Sequence, residues 1–422
     1  LSYKIKSGDT LESISRKQYG SEFYADLISD ANPGLGEPLT SGVEIVIPNN
    51  PDFQGTSIAK NIYASSPSEV SILIDGKRFR FWESVRITRS VDTISTVELL
   101  APFDSDTPGF KETFRPFSYK PVSVSAGGDL FFTGTMIGVT PVIEPRKKSI
   151  SVSCYAKPGV LNDCTPPASM FSGIDNKLFF NNQGLKSIAK TLARPSGISV
   201  VFQADQGAIF EKVSCAPEKK ILPFLAGLAQ QRNLIISSTP EGALLFSKTI
   251  ESGETVANLK QGTSPVLSVH PTFSPQEYYS HITGREPVVI GLSGSQFTVK
   301  NPRLSGVIRP YTYTVTDTQC ADVKTAVKAK VGRMFGNMVA YSVKVATWRD
   351  PSGNLWEPNT IVSLDAPDAM VYRPYDFVIR GVEFERDSRK EHATLDLVMP
   401  GSFSGEIPEA LPWDESTARF NF

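Results

Sequence analysis

Histidine and cysteine are scarce in this chain: three and four residues in 422. A cysteine peptidase needs a thiolate beside a histidine, and a metallopeptidase needs clustered His and carboxylate ligands. His270, His281 and His392 show no i, i+4 pair. His270 precedes Pro271 at a strand end, His281 falls in a strand after Tyr278-Tyr279, and His392 falls in a charged turn, Arg389-Lys390-Glu391-His392. Cys154, Cys164, Cys215 and Cys320 have neither metal-knuckle spacing nor the density of a disulfide scaffold. They read as core thiols folded in a reducing cytoplasm, with a Cys154–Cys164 contact as the alternative. Excess charge of one sign is also missing. Lys and Arg number 43, Asp and Glu 44, so a net charge of −1 exerts no overall pull toward nucleic acid or anionic lipid. No apolar run is long enough for a membrane span and no charged-then-apolar leader is seen, so no membrane anchor is expected. Gly332 to Gly336 lacks the Lys-Ser or Lys-Thr of a phosphate loop and reads as a helix stop. Nothing marks a pair of carboxylates for glycoside hydrolysis among the 44 acids. No metal, no cofactor and no catalytic residue is expected.

The first fifty residues carry a compact pattern. Tyr3 and Ile5 alternate as in a half-buried strand, and Asp9 stands three residues before Glu12, the spacing of a capping box. Leu11 and Ile14 start a helical stripe that Gly20 stops. Tyr24, Leu27, Ile28 and Ala31 repeat the helical spacing up to Asn32-Pro33-Gly34, and Val43, Ile45 and Ile47 alternate in a closing strand. This β-α-α-β order, with Gly8-Asp9-Thr10-Leu11 after the first strand, Asn32-Pro33 after the second helix and Val-x-Ile-x-Ile-Pro at the end, resembles the LysM domain. The resemblance implies a groove formed by Gly8, Asp9, Thr10, Leu11, Asn32 and Pro33. That groove binds N-acetylglucosamine-containing glycan in the family, and a LysM unit also serves to dock another protein. The plain reading of the same residues is a turn, a helix cap and a helix stop.

Beyond residue 50 the composition divides the chain. Residues 51–60 are Pro-, Gly- and Ser-containing and aperiodic, a linker. In 61–155, Val70, Ile72 and Ile74 alternate into the Asp75-Gly76 turn and back through Phe79 and Phe81, and further short strands run from Val85 to Cys154, the pattern of a small antiparallel barrel or sandwich. Glu144 to Lys148 reads as a solvated hairpin loop. Residues 156–262 form a small α+β domain, with a helix on Leu185, Ile188, Ala189 and Leu192, another starting near Pro223, and strands at Ile198–Phe202, Asn233–Ile236 and Ala243–Phe246. Residues 263–401 return to strands around one inserted helix, capped by Thr316 and Gln319 and ending near Arg333. Trp348 to Trp356 reads as a hairpin turned by Asp350-Pro351-Ser352-Gly353. Residues 402–422 lack a period and read as an extended arm. The fold class is therefore mainly β with α+β parts.

Barrel, α+β domain and barrel, in that order, resemble the baseplate hub proteins of contractile phage tails, of the Mu type and the late-control family. The residues that carry this are Phe131 to Met136, Gly184-Leu185, Pro223 to Arg232, Trp348 to Pro358, Gly381 to Phe384 and Thr394 to Pro400. The resemblance implies a non-enzymatic homotrimer in which each copy supplies two tube-like barrels to a pseudo-sixfold ring. Such a ring joins the hexameric tail tube or distal tube protein to the trimeric spike protein. Its channel admits tape-measure protein and, as passing cargo, DNA. The LysM unit would dock a baseplate wedge or sheath-initiator protein. The expected place is the virion tail of a phage or tailocin, assembled in the host cytoplasm. The alternative is a peptidoglycan-binding envelope protein or a LysM-targeted cell-wall hydrolase.

Overall fold

The computed structural model describes residues 2–19, 25–32, 35, 39–48, 69–80, 82–103, 109–144, 147–171, 177–250, 252–285, 294–301, 303–304, 306–315, 323–387, 390–400 and 410–414. Pro33, the 51–60 linker, the Thr316/Gln319 cap, Cys320 and most of the 402–422 segment fall outside these residues. Among the described residues strand far outweighs helix, so the fold is mainly β. Two compact units emerge: Leu1–Phe79 with Lys120–Asp129, and Arg80–Tyr119 with Leu130–Phe422.

The first unit begins with strand Ser2–Lys4, helices Leu11–Tyr19 and Ala25–Asp30, and strand Glu44–Val46, which pairs antiparallel with the first strand. Ile5, Leu11, Ile14, Ile28, Ile45 and Ile47 form its core. The helix start departs from the expected Asp9/Glu12 box. Thr10 Oγ1 accepts from the Ser13 N–H at 3.2 Å and Ser13 Oγ accepts from the Thr10 N–H at 2.9 Å, so the reciprocal box is one residue further on. Asp9 is not available as the cap because its carboxylate is engaged elsewhere. The same unit holds strands Val70–Ile74, Lys77–Phe79 and Pro121–Ala126, with Val70–Ile74 in the centre and antiparallel to both neighbours. Asp75 and Gly76 turn the hairpin with φ of 53° and 71°, the left-handed pair that an Asp-Gly turn favours.

The second unit is organised on one long sheet. Its strands pair in the order Val266–Phe273, Val339–Val345, Glu391–Val398, Val371–Asp387, Ser84–Ser90, Thr96–Pro102, Lys147–Ala156, Asp129–Glu144. Ile361–Ala366 also pairs with Val371–Asp387, and Thr255–Lys260 joins it in parallel. Alternation explains the faces: Val85, Ile87, Val97, Leu99, Val152, Phe384 and Leu395 are buried while their neighbours in sequence point out. His270 and Pro271 lie inside the Val266–Phe273 strand rather than at its end, paired with Ser342 and Tyr341. The strand closes the pairing order on one side among the described residues, where a proline without an N–H is tolerated. Glu144 and Lys147 are also strand residues, paired with each other, so the expected loop is shorter and its flanks are an extended hairpin.

The α+β part packs helices Leu185–Ala193 and Ile221–Gln231 around Phe180, Phe210, Leu225, Leu234 and Phe246. Gln206 caps the first helix from twenty residues downstream, its Oε1 accepting from the Lys186 N–H at 3.0 Å. Buried Ser238 ties this part to the long sheet, accepting from the Ser95 N–H and donating to Ser95 Oγ, both at 3.0 Å. Helix Val323–Met338 extends beyond the expected Arg333 and packs near a small sheet of Gln296–Lys300, His281–Arg285 and Pro310–Thr314.

Candidate functional site

The polar groups expected to line a groove in the first unit are already bonded within it. Asp9 Oδ2 accepts from the Tyr3 hydroxyl at 2.9 Å and the Lys6 N–H at 2.8 Å, and Oδ1 accepts from Lys17 Nζ at 2.6 Å. Asn32 bridges helix to strand: its Nδ2 donates to the Ile28 and Val46 carbonyls at 2.8 and 2.7 Å, and its Oδ1 accepts from the Val46 N–H at 2.7 Å. The amide thus imitates a strand neighbour for Val46. Leu11 is buried in the core, leaving Gly8 and Thr10 exposed. Gly8 adopts φ of 85°, the left-handed turn that glycine permits. Asp9 and Asn32 are structural ties here.

Asp9 gives a pH dependence with a definite sign. The Lys17 ammonium, then the Lys6 N–H, hold its carboxyl at about 2 against an ordinary 3.8. A carboxylate depressed by folding stabilises the fold above its unfolded value, and that contribution is lost as pH falls through the folded value. Amide protection at Ile5 and Ile45, taken relative to the intrinsic exchange rate at each pH, should therefore fall between about pH 4 and about pH 2. Asp9→Asn should flatten the profile over that window, and an unchanged profile would rule the tie out.

On the second unit the sheet register builds a row of alternating charge. Glu98 lies opposite Arg86, Arg86 opposite Glu385, and Glu385 opposite His392, across four adjacent strands. Arg86 Nε donates to Glu385 at 2.7 Å and its second nitrogen bonds the same carboxylate, with Glu383 at 3.7 Å and Glu98 at 3.8 Å. His392 Nε2 lies 2.5 Å from Glu385. His392 is therefore the second residue of strand Glu391–Val398 and pairs with Glu385, rather than lying in a turn. Partial burial pushes the Glu385 carboxyl up, but hydrogen bonds from Arg86 and His392 outweigh it and keep it below the ordinary range. A shallow groove of about 280 Å³ runs along this row. Opposite charges facing across strands each add a few tenths of a kcal/mol and keep the outer face polar.

Among the described residues the thiols are not brought together. Burial pushes Cys154 up to about 12 and Cys215 up to about 11, so both are protonated at neutral pH. Cys164 is exposed, contrary to the expected core position, and Cys154, Cys164 and Cys215 are all free. Among the described residues no three His, Cys, Asp or Glu side chains are grouped to hold a metal ion, and no helix is long and apolar enough to cross a membrane.

Sequence segments far apart converge in the core. Phe131 meets Phe384 edge-on at 4.6 Å and Trp348 at 5.7 Å, and Trp348 meets Phe384 at 5.5 Å. Arg89, almost covered, forks onto Glu357 at 2.8 and 3.0 Å and lies over the Phe131 ring. The Trp348–Trp356 hairpin forms as expected: Gly353 has φ of 88°, and the Trp356 N–H donates to the Trp348 carbonyl at 3.0 Å. The C-terminal segment, expected to be an extended arm, is anchored at residues 410–414. Tyr375 donates to the Ala410 carbonyl at 2.9 Å, Arg303 pairs with Asp414 at 2.8 Å, and Trp413 packs edge-on against Phe273 at 5.5 Å. No sequence period marks this segment because its partners lie on distant strands.

Comparison with known proteins places these features in a wider set. Residues 159–248, which span the α+β part, match the family described as baseplate hub protein gp44-like, second domain. The baseplate hub protein gp44 of Escherichia phage Mu is 22% identical over 319 residues, covering 70% of this chain and 79% of that protein. The fold is shared with a 43 kDa tail protein of prophage MuSo2 from Shewanella oneidensis: TM-score 0.67, 23% identity, 79% of this chain and 99% of that one. It is shared equally with a tail protein of Neisseria meningitidis MC58: TM-score 0.67, 19% identity, 81% of this chain and 99% of that one. These proteins are structural baseplate hub and tail proteins rather than enzymes, and the similarity supports a phage baseplate hub, a component of the virion tail.

Proposed function

We propose that this chain is the central hub of a contractile tail baseplate, a homotrimer whose copies each give two tube-like β regions to a pseudo-sixfold ring. The observation that carries the reading is the hub second-domain match at 159–248, held between strands on both sides that belong to one sheet. That arrangement suits a symmetry adaptor. Two sheet regions per copy and three copies give six positions for a hexameric tube protein, while the true threefold seats a trimeric spike. The channel would pass tape-measure protein and then DNA, for which a near-neutral chain avoids tight phosphate binding.

The first fifty residues, as a LysM-like unit, would dock a wedge or sheath-initiator protein. The bonding of Asp9 and Asn32 within the unit favours a protein partner, since the polar atoms a sugar would need are already occupied. Purified full-length protein should have the mass of three copies and co-assemble with tube and spike proteins. Removing residues 1–50 should impair baseplate attachment in the native particle more than it impairs retention on peptidoglycan. A monomer that binds peptidoglycan through those residues and clears a cell-wall zymogram would overturn the proposal.

A further inference from the structure

Phe117 and Tyr119 are both strongly exposed, Phe117 at 85%, and both hold φ in the left-handed region, at 57° and 48°. Between them Ser118 buries an Oγ that has no hydrogen-bond partner among the described residues. An aromatic residue in left-handed backbone costs roughly 1–2 kcal/mol, and an exposed ring returns nothing to folding for it. Met370 repeats the pattern, with φ of 62° and half its surface exposed. With Phe273, Tyr372 and Trp413 it lines an apolar groove of about 290 Å³. A cavity of roughly 150 Å³ already holds benzene, so the groove has room for one aromatic ring. Methionine suits such a wall because its thioether adapts to the ring that enters.

We propose that Phe117 of one copy seats in the Phe273–Met370–Tyr372–Trp413 groove of a second copy. This deepens the trimer reading above and rests on it. Phe117 does not fill the groove of its own chain, being open to solvent. The groove joins Phe273, on the strand that closes the pairing order on one side, to Met370 and Tyr372 at the start of Val371–Asp387 and to Trp413, whereas the Phe117 loop follows Thr96–Pro102, two strands beyond Val371–Asp387 in that order. A knob and a hole at different places on one sheet make a heterologous contact, which closes into a ring when the rotation allows. Charge agrees with the pairing. Lys111 and Arg115 flank the knob, Arg115 also reaching Glu112 at 3.6 Å. Asp368, bonded to the neutral Gln261 amide, adjoins Met370, and Asp376 is exposed on the same side of its strand as Tyr372. Asp414 is already neutralised by Arg303, and Arg373 alternates to the other side.

The test uses full-length protein carrying Cys164→Ser and Cys320→Ser, with Phe117→Cys on one preparation and Met370→Cys on another, mixed and treated with a short bismaleimide. The expected result is a two-chain product from the mixture, absent from either preparation alone. In the same assay Phe117→Asn, which keeps a residue tolerant of left-handed backbone, should raise the concentration for half-dissociation by about tenfold or more. Its urea midpoint, measured on the dissociated chain, should not fall and should rise where asparagine relieves the left-handed strain, which separates association from folding. Trimers that join tube and spike but give no 117–370 product overturn this contact and leave the hub reading standing. A 117–370 product from a chain that joins neither tube nor spike does the reverse. Equal product from Phe117→Cys alone, or an intrachain link from Met370→Cys to Phe420→Cys in place of the mixed product, also overturns it.

Discussion

Trp348→Ala is expected to lower the unfolding free energy of the second unit by about 4–5 kcal/mol, the upper end for a buried tryptophan. The side chain is 2% exposed and packs on both Phe131 and Phe384. Its Nε1 also donates to the His392 carbonyl at 2.9 Å and the Glu385 carbonyl at 3.2 Å. Alanine would remove the ring contacts, open a cavity between two strands and the hairpin, and withdraw the donor from two carbonyls at the end of a strand pair. Trp348→Phe separates these effects. It keeps an aromatic ring but loses the N–H and part of the indole's volume, so about 1–3 kcal/mol is expected. Urea unfolding followed by circular dichroism measures both, and an alanine variant within about 1 kcal/mol of the parent would show that the cluster does not hold the hairpin to the sheet.

That cluster also shows what a single sequence can and cannot disclose. The two helices at 185–193 and 221–231 were legible because Leu185, Ile188, Ala189 and Leu192, and Leu225, Leu228 and Ala229, repeat at helical spacing and are buried as a set. The hairpin was legible from Asp350-Pro351-Ser352-Gly353 alone, since turn chemistry is local. Strand Phe179–Gln183 was not, because Phe-Phe-Asn-Asn-Gln does not alternate and Asn182 takes φ of 50° within it. Nor were the strands at 210–214, 255–260 and 296–300, which are short or polar and are defined by partners far along the chain.

The candidate site was less legible than the fold, for the same physical reason. Asp9 could be seen as a cap candidate from spacing, but only the fold brings Tyr3 and Lys17 to its carboxylate and leaves the cap to Thr10 and Ser13. Asn32 was readable as a helix stop, yet its bonds to Val46 span fourteen residues. The Glu98–Arg86–Glu385–His392 row joins residues up to 299 apart, and no local pattern encodes a register. Phe131, Trp348 and Phe384 each sit in a segment that carries the hub resemblance, and the structure explains why their spacing carries information: the segments meet.

Gly134 lies in the first of those segments, and replacing it should be nearly as damaging as losing the tryptophan. A Cβ there would fall 2.1 Å from the Tyr155 carbonyl oxygen and 2.4 Å from Phe132 Cζ. The ring can turn, but the carbonyl belongs to the paired strand, in which Ala156 is the partner of Gly134. Overpacking costs about 1–3 kcal/mol where side chains can yield. Here backbone must move, so Gly134→Ala is expected at about 3 kcal/mol and Gly134→Val above it. Gly227 provides the opposite sign. It lies within helix Ile221–Gln231 and a Cβ there would meet nothing within 4 Å. Gly227→Ala should therefore stabilise by about 0.4–1 kcal/mol through the unfolded chain's lost freedom and alanine's helix preference. Urea midpoints moving in opposite directions for these two substitutions would confirm that Gly134 is required by close approach of two strands. Equal and small shifts would mean that the Lys147–Ala156 strand can withdraw from its neighbour without cost.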